Sequence, residues 1–181
     1  MSNILVVHGS PRVGGNSSIL ADSFIRGCED AGHEVRRIDV GNAQISGCKG
    51  CMGCFKRDGE CVQHDDYNGF EADMAWCDTI VYAMPLYYYT YPAQIKAFMD
   101  RQFCGAAKPG KYGFKRCGLL VTMEDKDITT ADGLLLSFDI AMNYCKKEIL
   151  FKLVVNNVFE KGAIEGNPKL DEAYELGKSI S

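Results

Sequence analysis

The sequence predicts an α/β protein in which a five-stranded parallel sheet carries helices on both faces. Three observations predict it. Short apolar runs of strand length alternate with amphipathic stretches along the chain. The first run, Ile4-Leu5-Val6-Val7, is apolar at every position, as a strand buried on both faces requires. The segment after it, His8-Gly9-Ser10-Pro11-Arg12-Val13-Gly14-Gly15-Asn16-Ser17-Ser18, leads directly into a helical pattern, as the first turn of an open α/β sheet does.

The elements follow in order. Residues 17–31 carry Ile19, Leu20, Phe24, Ile25 and Cys28 at helical spacing, and Gly32 fits a helix stop. Residues 34–40 alternate as a second strand. A polar, cysteine-rich stretch, 41–65, is read as a loop insertion, and Asp66 as the cap of a helix running to Trp76. Residues 79–84 form a third strand ended by Pro85. Residues 92–101 form a helix with Pro92 in its first turn. Residues 117–122 form a fourth strand. Residues 130–145 form a helix whose apolar face is Leu134, Leu135, Phe138, Ile140, Ala141 and Met142. Residues 149–155 form the fifth strand and 168–180 the closing helix. With no linker or repeat between them, residues 1–181 are expected to form one domain.

Composition narrows the function classes. Hydrophobic residues make up 46% of the 181, which supports a packed core and excludes a disordered chain. The net charge is −4 and no Lys/Arg stripe stands out, which argues against nucleic acid as a partner. No apolar run approaches the ~20 residues of a membrane span. Residues 1–7 read as a strand rather than a secretory leader. A cytoplasmic protein that does not engage membranes is expected. The nine cysteines agree with a reducing compartment. Cys28, Cys77, Cys104, Cys117 and Cys145 have apolar or helical neighbours and are expected to be packing residues.

In such a sheet ligands bind past the carboxyl ends of the strands. The loop after the first strand is dense in donors there. Gly9 permits a sharp turn, Ser10, Ser17 and Ser18 bring hydroxyls, Asn16 brings an amide, and Arg12 brings a cation suited to a phosphate. The helix beginning near Asn16 aims its free N–H groups at the same place. The loop is neither a Walker loop nor Gly-x-Gly-x-x-Gly. Beside it in the fold, Pro85-Leu86-Tyr87-Tyr88-Tyr89-Thr90-Tyr91-Pro92 offers apolar and aromatic walls for a flat ring, or alternatively a packing loop at a subunit contact. His8, His64 and the run Glu124-Asp125-Lys126-Asp127 are read as packing, loop and solvated residues.

Gly9-Ser10-Pro11-Arg12, with Asn16-Ser17-Ser18, resembles the phosphate loop of the NAD(P)H-dependent FMN reductase family, which has a flavodoxin-like fold. Pro85-Leu86-Tyr87-Tyr88 and the following Pro92-Ala93-Gln94-Ile95-Lys96-Ala97-Phe98-Met99-Asp100-Arg101 resemble its second flavin loop and the helix after it. The resemblance covers roughly residues 3–122. It implies that Ser10, Arg12, Asn16, Ser17 and Ser18 hold the FMN phosphate. It implies further that Pro85, Leu86, Tyr87 and Tyr88 face the isoalloxazine ring, with Thr122 and Met123 on a third loop. True flavodoxins differ in having a Thr/Gly-rich phosphate loop.

Cys48-x2-Cys51-x2-Cys54-x6-Cys61 is similar to the compact motif of the iron–sulfur flavoprotein branch, in which four cysteines hold a [4Fe–4S] cluster. Thiols spaced by two residues suit such a cluster. Zinc, which more often takes two separated pairs, and a metal-free structural loop remain alternatives.

The expected function is an FMN-dependent oxidoreductase. It would pass hydride from NAD(P)H through FMN to a small acceptor such as a quinone, a nitro compound or a flavin. The alternative is an iron–sulfur flavoprotein that takes electrons from a ferredoxin-like partner. Hydride chemistry belongs to the cofactor, and no residue stands out as a general acid or base. The resemblance also implies a homodimer or homotetramer.

Overall fold

The computed structural model describes residues Met1–Ser181. Five parallel strands form one sheet in the order β2-β1-β3-β4-β5. They are β1 (Asn3–His8), β2 (Glu34–Asp39), β3 (Thr79–Pro85), β4 (Arg116–Thr122) and β5 (Glu148–Val155). The helices are α1 (Asn16–Asp30), α2 (Tyr67–Trp76), α3 (Ala93–Arg101), the short α4 (Cys104–Ala107), α5 (Asp132–Tyr144) and α6 (Lys169–Lys178). This is the flavodoxin-like architecture.

Side-chain alternation builds a core on each face of the sheet. Leu5, Val7, Ile80, Tyr82, Met84, Leu119 and Val121 point to one side, against Tyr67 and Met74 of α2, Ile95 and Phe98 of α3, and Leu134, Phe138 and Met142 of α5. Ile4, Val6, Val81, Ala83, Leu120 and Leu153 point to the other, against Leu20, Ala21, Phe24 and Cys28 of α1 and Ala173 of α6. The central strands β1 and β3 are therefore apolar on both faces. Edge strand β2 alternates between exposed and half-buried residues over most of its length and carries Glu34, Arg36, Arg37 and Asp39. No helix is long and apolar enough to cross a membrane.

Several local expectations need correction. Asp66 occupies the N-cap position of α2, but its carboxylate makes no cap bond there and accepts instead from the Gln44 backbone N–H at 2.7 Å. Asp65 takes the capping role, accepting from the Tyr67 N–H at 3.2 Å. Pro85 is itself the last residue of β3, since its strand register with Thr122 needs no N–H. Pro92 stands just outside α3 as its N-cap. A separate 3-10 turn, Ile128–Ala131, precedes α5, and Ile140 is exposed rather than on the helix's buried face. With Leu136 and Tyr144 it makes an exposed apolar stripe at four-residue spacing. Helix α4 was not anticipated. Of the five isolated cysteines, Cys28, Cys77, Cys104 and Cys117 are buried and Cys145 is exposed.

Candidate functional site

The strand order reverses direction between β1 and β3, the switch point at which open α/β sheets part their loops. Four loops enclose a cleft of about 170 Å³ there. Ser10, Arg12, Gly15, Asn16 and Ser17 come from the loop after β1. Pro85, Leu86 and Tyr87 follow β3, Thr122, Met123 and Glu124 follow β4, and Val158, Phe159 and Lys161 follow β5.

The first loop is packed tightly beneath the cleft. The Gly9 N–H donates to the Ala83 carbonyl at 2.9 Å. A Cβ at Gly9 would stand 2.1 Å from Ile95 Cγ1, so only glycine lets the turn lie on α3. Ser10 is buried and its hydroxyl accepts from the Arg12 N–H at 3.2 Å. The N–H groups of Asn16 and Ser17 open α1 with no backbone acceptor. Arg12 is exposed and donates to the Phe159 carbonyl at 3.4 Å, bridging the first and last loops of the cleft.

Two expected phosphate donors are turned elsewhere. The Asn16 amide donates to the Val158 and Glu160 carbonyls at 3.3 and 2.8 Å and accepts from the Gly162 and Ile164 N–H groups. Its side chain is spent on tying the segment after β5 to α1, although the residue lines the cleft. Ser18 is not in the cleft; its hydroxyl accepts from Arg37 at 3.0 Å. Ser17 lines the cleft, and its hydroxyl meets His8 Nε2 at 3.2 Å. His8 is buried and also meets Asp39 at 2.8 Å and Arg37 at 3.1 Å. Burial foremost, then the Arg37 charge, lowers the His8 pKa despite Asp39.

The aromatic loop is divided in the same way. Pro85, Leu86 and Tyr87 face the cleft, but Tyr88 is 98% exposed and points away from it. Tyr87 and Thr90 exchange backbone hydrogen bonds around a two-residue turn. Tyr88 and Tyr89 both adopt left-handed backbone there, with φ of 47° and 61°. Thr122 and Met123 line the cleft as expected. Lys161 and Phe159 were missed, because they lie beyond the fifth strand in a segment with no distinctive motif; the signal available was a lysine in a strand-end loop.

The cleft suits a ring-bearing phosphate ligand. Arg12 and Lys161 supply positive charge beside the open amides of α1. Leu86, Tyr87, Met123 and Phe159 supply an apolar wall.

A second site lies on the cysteine loop. Cys48, Cys51, Cys54 and Cys61 line one small cavity of about 20 Å³, together with Arg101 and a fifth thiol, Cys104. Cys104, which sequence reading set aside as a packing residue, reaches the cavity from α4. Burial, then the nearby Cys61 and Cys54, pushes its thiol up to about 12. The Gly50 and Gln63 N–H groups donate to the Cys48 and Cys61 sulfurs, each at 3.5 Å. The thiols share the cavity, but as arranged no three acidic, cysteine or histidine side chains are set to hold a single metal ion.

One arginine ties the ends of this loop together. Arg101 donates to the Ser46 carbonyl at 3.1 Å, the Gln63 carbonyl at 3.2 Å and the Asp65 carboxylate at 2.7 Å, and it stacks on Tyr67. Burial would raise the Asp65 pKa, but the Arg101 hydrogen bond and the Ser46 N–H outweigh it and hold the carboxyl below its usual range.

The profile of the NADPH-dependent FMN reductase family matches residues 2–137. An iron–sulfur flavoprotein of Archaeoglobus fulgidus is 37% identical over 108 residues, covering 58% of this chain and 49% of that protein. The chain thus spans about half the length of the first relatives it matches. Two solved structures share its fold. An NAD(P)H:quinone oxidoreductase from Methanothermobacter marburgensis has a TM-score of 0.72 at 14% identity, over 98% of this chain and 96% of that one. An FMN-dependent NADH-azoreductase from Bacillus anthracis, solved with FMN, has a TM-score of 0.68 at 13% identity, over 98% and 96%. The family match spans three of the four loops around the cleft, and the chain, of flavodoxin-like fold, belongs to the NADPH-dependent FMN reductase family.

Proposed function

We propose that this oxidoreductase holds FMN in the cleft and uses it to carry hydride from NAD(P)H to a small acceptor, such as a quinone, a nitro compound or another flavin. The observation that carries the reading is the pairing of Arg12 and Lys161 with the open amides of Asn16 and Ser17 in one cleft with an apolar wall. Bound FMN supplies the hydride acceptance and the one- or two-electron release. The chain's own groups do the rest. Arg12, Lys161, Ser10, Ser17 and the α1 amides hold the phosphate. Pro85, Leu86, Tyr87, Thr122 and Met123, which line the same cleft, would bear on the ring. Tyr87, the tyrosine of the aromatic loop in the cleft lining, would shape the pocket for an acceptor.

Arg12→Ala tests the phosphate assignment by FMN titration of the apoprotein. Loss of a charged hydrogen bond of about 1.5–3 kcal/mol weakens FMN by roughly 10- to 100-fold. Unchanged affinity removes Arg12 from the site.

A second reading is favoured by the cysteine cavity. In it, Cys48, Cys51, Cys54 and Cys61 hold a [4Fe–4S] cluster and the protein carries electrons for a ferredoxin-like partner. The donor set fits in kind: four thiols line one cavity, and two of them already accept backbone N–H bonds of the sort that tune cluster potentials. Zinc is disfavoured by the spacing, since its four-cysteine sites more often use two separated pairs. The small cavity means the loop must widen to admit a cluster. A bound cluster supplies one-electron transfer. Iron and acid-labile sulfide, assayed beside the absorption spectrum of anaerobically purified protein, decide between a cluster and a structural loop. Faster flavin reduction by a ferredoxin than by NAD(P)H favours the carrier.

The exposed stripe Leu136, Ile140 and Tyr144 on α5, beside an apolar groove lined by Met99, Phe103, Tyr112 and Met142, supports a homodimer or homotetramer. Light scattering after size exclusion reads the mass directly.

A further inference from the structure

The buried arginine under the cysteine loop has one nitrogen without a partner. Arg101 is 1% exposed, and its side chain is fully buried. One terminal nitrogen serves Ser46 and Asp65, and the other serves Gln63. Nε has no hydrogen-bond partner. A buried N–H without an acceptor is costly, and native proteins seldom leave one. The same side chain lines the cavity shared by Cys48, Cys51, Cys54, Cys61 and Cys104, and of these thiols Cys61 is the one that bears on its guanidinium. Cavity, cation and orphaned donor thus coincide.

A neutral thiol is a weak acceptor, whereas a thiolate is a strong one. Metal binding deprotonates the ligating cysteines. The sulfur side of the cavity then becomes anionic next to a fixed positive charge. We propose that Arg101 is a positioning residue for a thiolate-bound centre on the cysteine loop, its free Nε–H reserved for the Cys61 sulfur, and that it raises the reduction potential of that centre. The inference rests on the cluster reading above. Its physical basis is that a buried cation and an added N–H···S bond favour the more negative, reduced state. The clamp on Ser46, Gln63 and Asp65 fixes the guanidinium, so the donor is oriented before any ligand arrives.

The test uses the 181-residue chain, reconstituted anaerobically with iron and sulfide, and reads the midpoint potential by titration followed with electron paramagnetic resonance. Arg101→Lys keeps the charge and can keep the Asp65 pair, but it lacks Nε–H. The expected result is normal iron content and thermal midpoint with a potential lowered by about 59 mV, a tenfold change in a one-electron equilibrium. Arg101→Lys at the wild-type potential overturns the proposal and leaves Arg101 an anchor of the loop. Should Arg101→Lys hold no iron, Asp65→Asn decides, because it retains Nε–H and removes a nearby negative charge. Iron retained in Asp65→Asn, where the clamp is loosened but Nε–H remains, supports the donor role. Loss of iron in both variants overturns it in favour of a purely structural clamp. If the wild-type chain takes up no iron, the cluster reading falls and this proposal falls with it. Iron in the wild type with an unmoved potential in Arg101→Lys overturns this proposal alone.

Discussion

His8 Nε2 and Ser17 Oγ lie 3.2 Å apart at the foot of the cleft, which couples the end of β1 to the first turn of α1. The imidazole is held on its other side by Asp39 and Arg37. Its tautomer therefore decides whether the Ser17 hydroxyl presents a proton or a lone pair to the cleft.

The first prediction is a pH dependence. Burial, then Arg37, lowers the His8 pKa below its ordinary 6.5. The unfolded chain therefore binds a proton more readily than the folded one. The stability from neutral His8 is complete above about pH 6.5 and is lost as pH falls toward the folded-state value. Asp39, Asp65 and Asp78 have lowered pKa values and act in a separate window below about pH 4. Between pH 7.5 and 5.5 the thermal midpoint of the wild type should drop, and that of His8→Gln should drop less. Equal slopes would remove His8 as the cause.

Asn16 should behave as a structural residue. Its amide joins α1 to the segment 158–164 through two donated and two accepted bonds. Asn16→Ala leaves those buried backbone groups without partners, at a cost of about 2–3 kcal/mol in urea unfolding. A loss below about 0.5 kcal/mol would contradict this role.

Gly9 and Ile95 should couple. Gly9→Ala drives a methyl into Ile95 and costs roughly 1–3 kcal/mol. In the Ile95→Ala background, where Cγ1 and Cδ1 are gone, the same change should cost at least about 1 kcal/mol less. Strict additivity in the double-mutant cycle would show that the overlap is relieved by backbone movement instead.

The turn at Tyr88 and Tyr89 carries strain. A two-residue hairpin of this hand favours Asn-Gly, and L-residues in left-handed backbone lose roughly 1–2 kcal/mol each. The double replacement Tyr88→Asn with Tyr89→Gly should raise Tm by several degrees, at roughly 2–4 °C per kcal/mol for a chain of this size. An unchanged or lowered Tm would mean that aromatic contacts of the pair offset the strain.

The sheet was legible because its signals are local. Ile4–Val7 and 79–84 are apolar at nearly every position, and only burial on both faces asks for that. The cleft was legible as a place, since a glycine and serine turn between a strand and a helix has one location in this fold. Side-chain direction was not legible. Asn16 looks like a phosphate donor until the chain returns more than 140 residues later and takes its amide. Ser18 faces β2 because Arg37 waits there. Cys104 looked isolated in sequence, and the three-dimensional approach of α4 made it part of the thiol cavity. In each case the deciding partner came from a distant part of the chain. The same is true of Asp65, which took the capping role because Arg101 and Ser46 hold it in position.

The Arg101 clamp grips the cysteine loop by the carbonyls of Ser46 and Gln63, together with Asp65 just past its end, and none of these groups lies between the first and last cysteine. The segment between them behaves like a cartridge in a fixed socket. Its length and thiol spacing can change while the socket, and the sheet behind it, stay as they are.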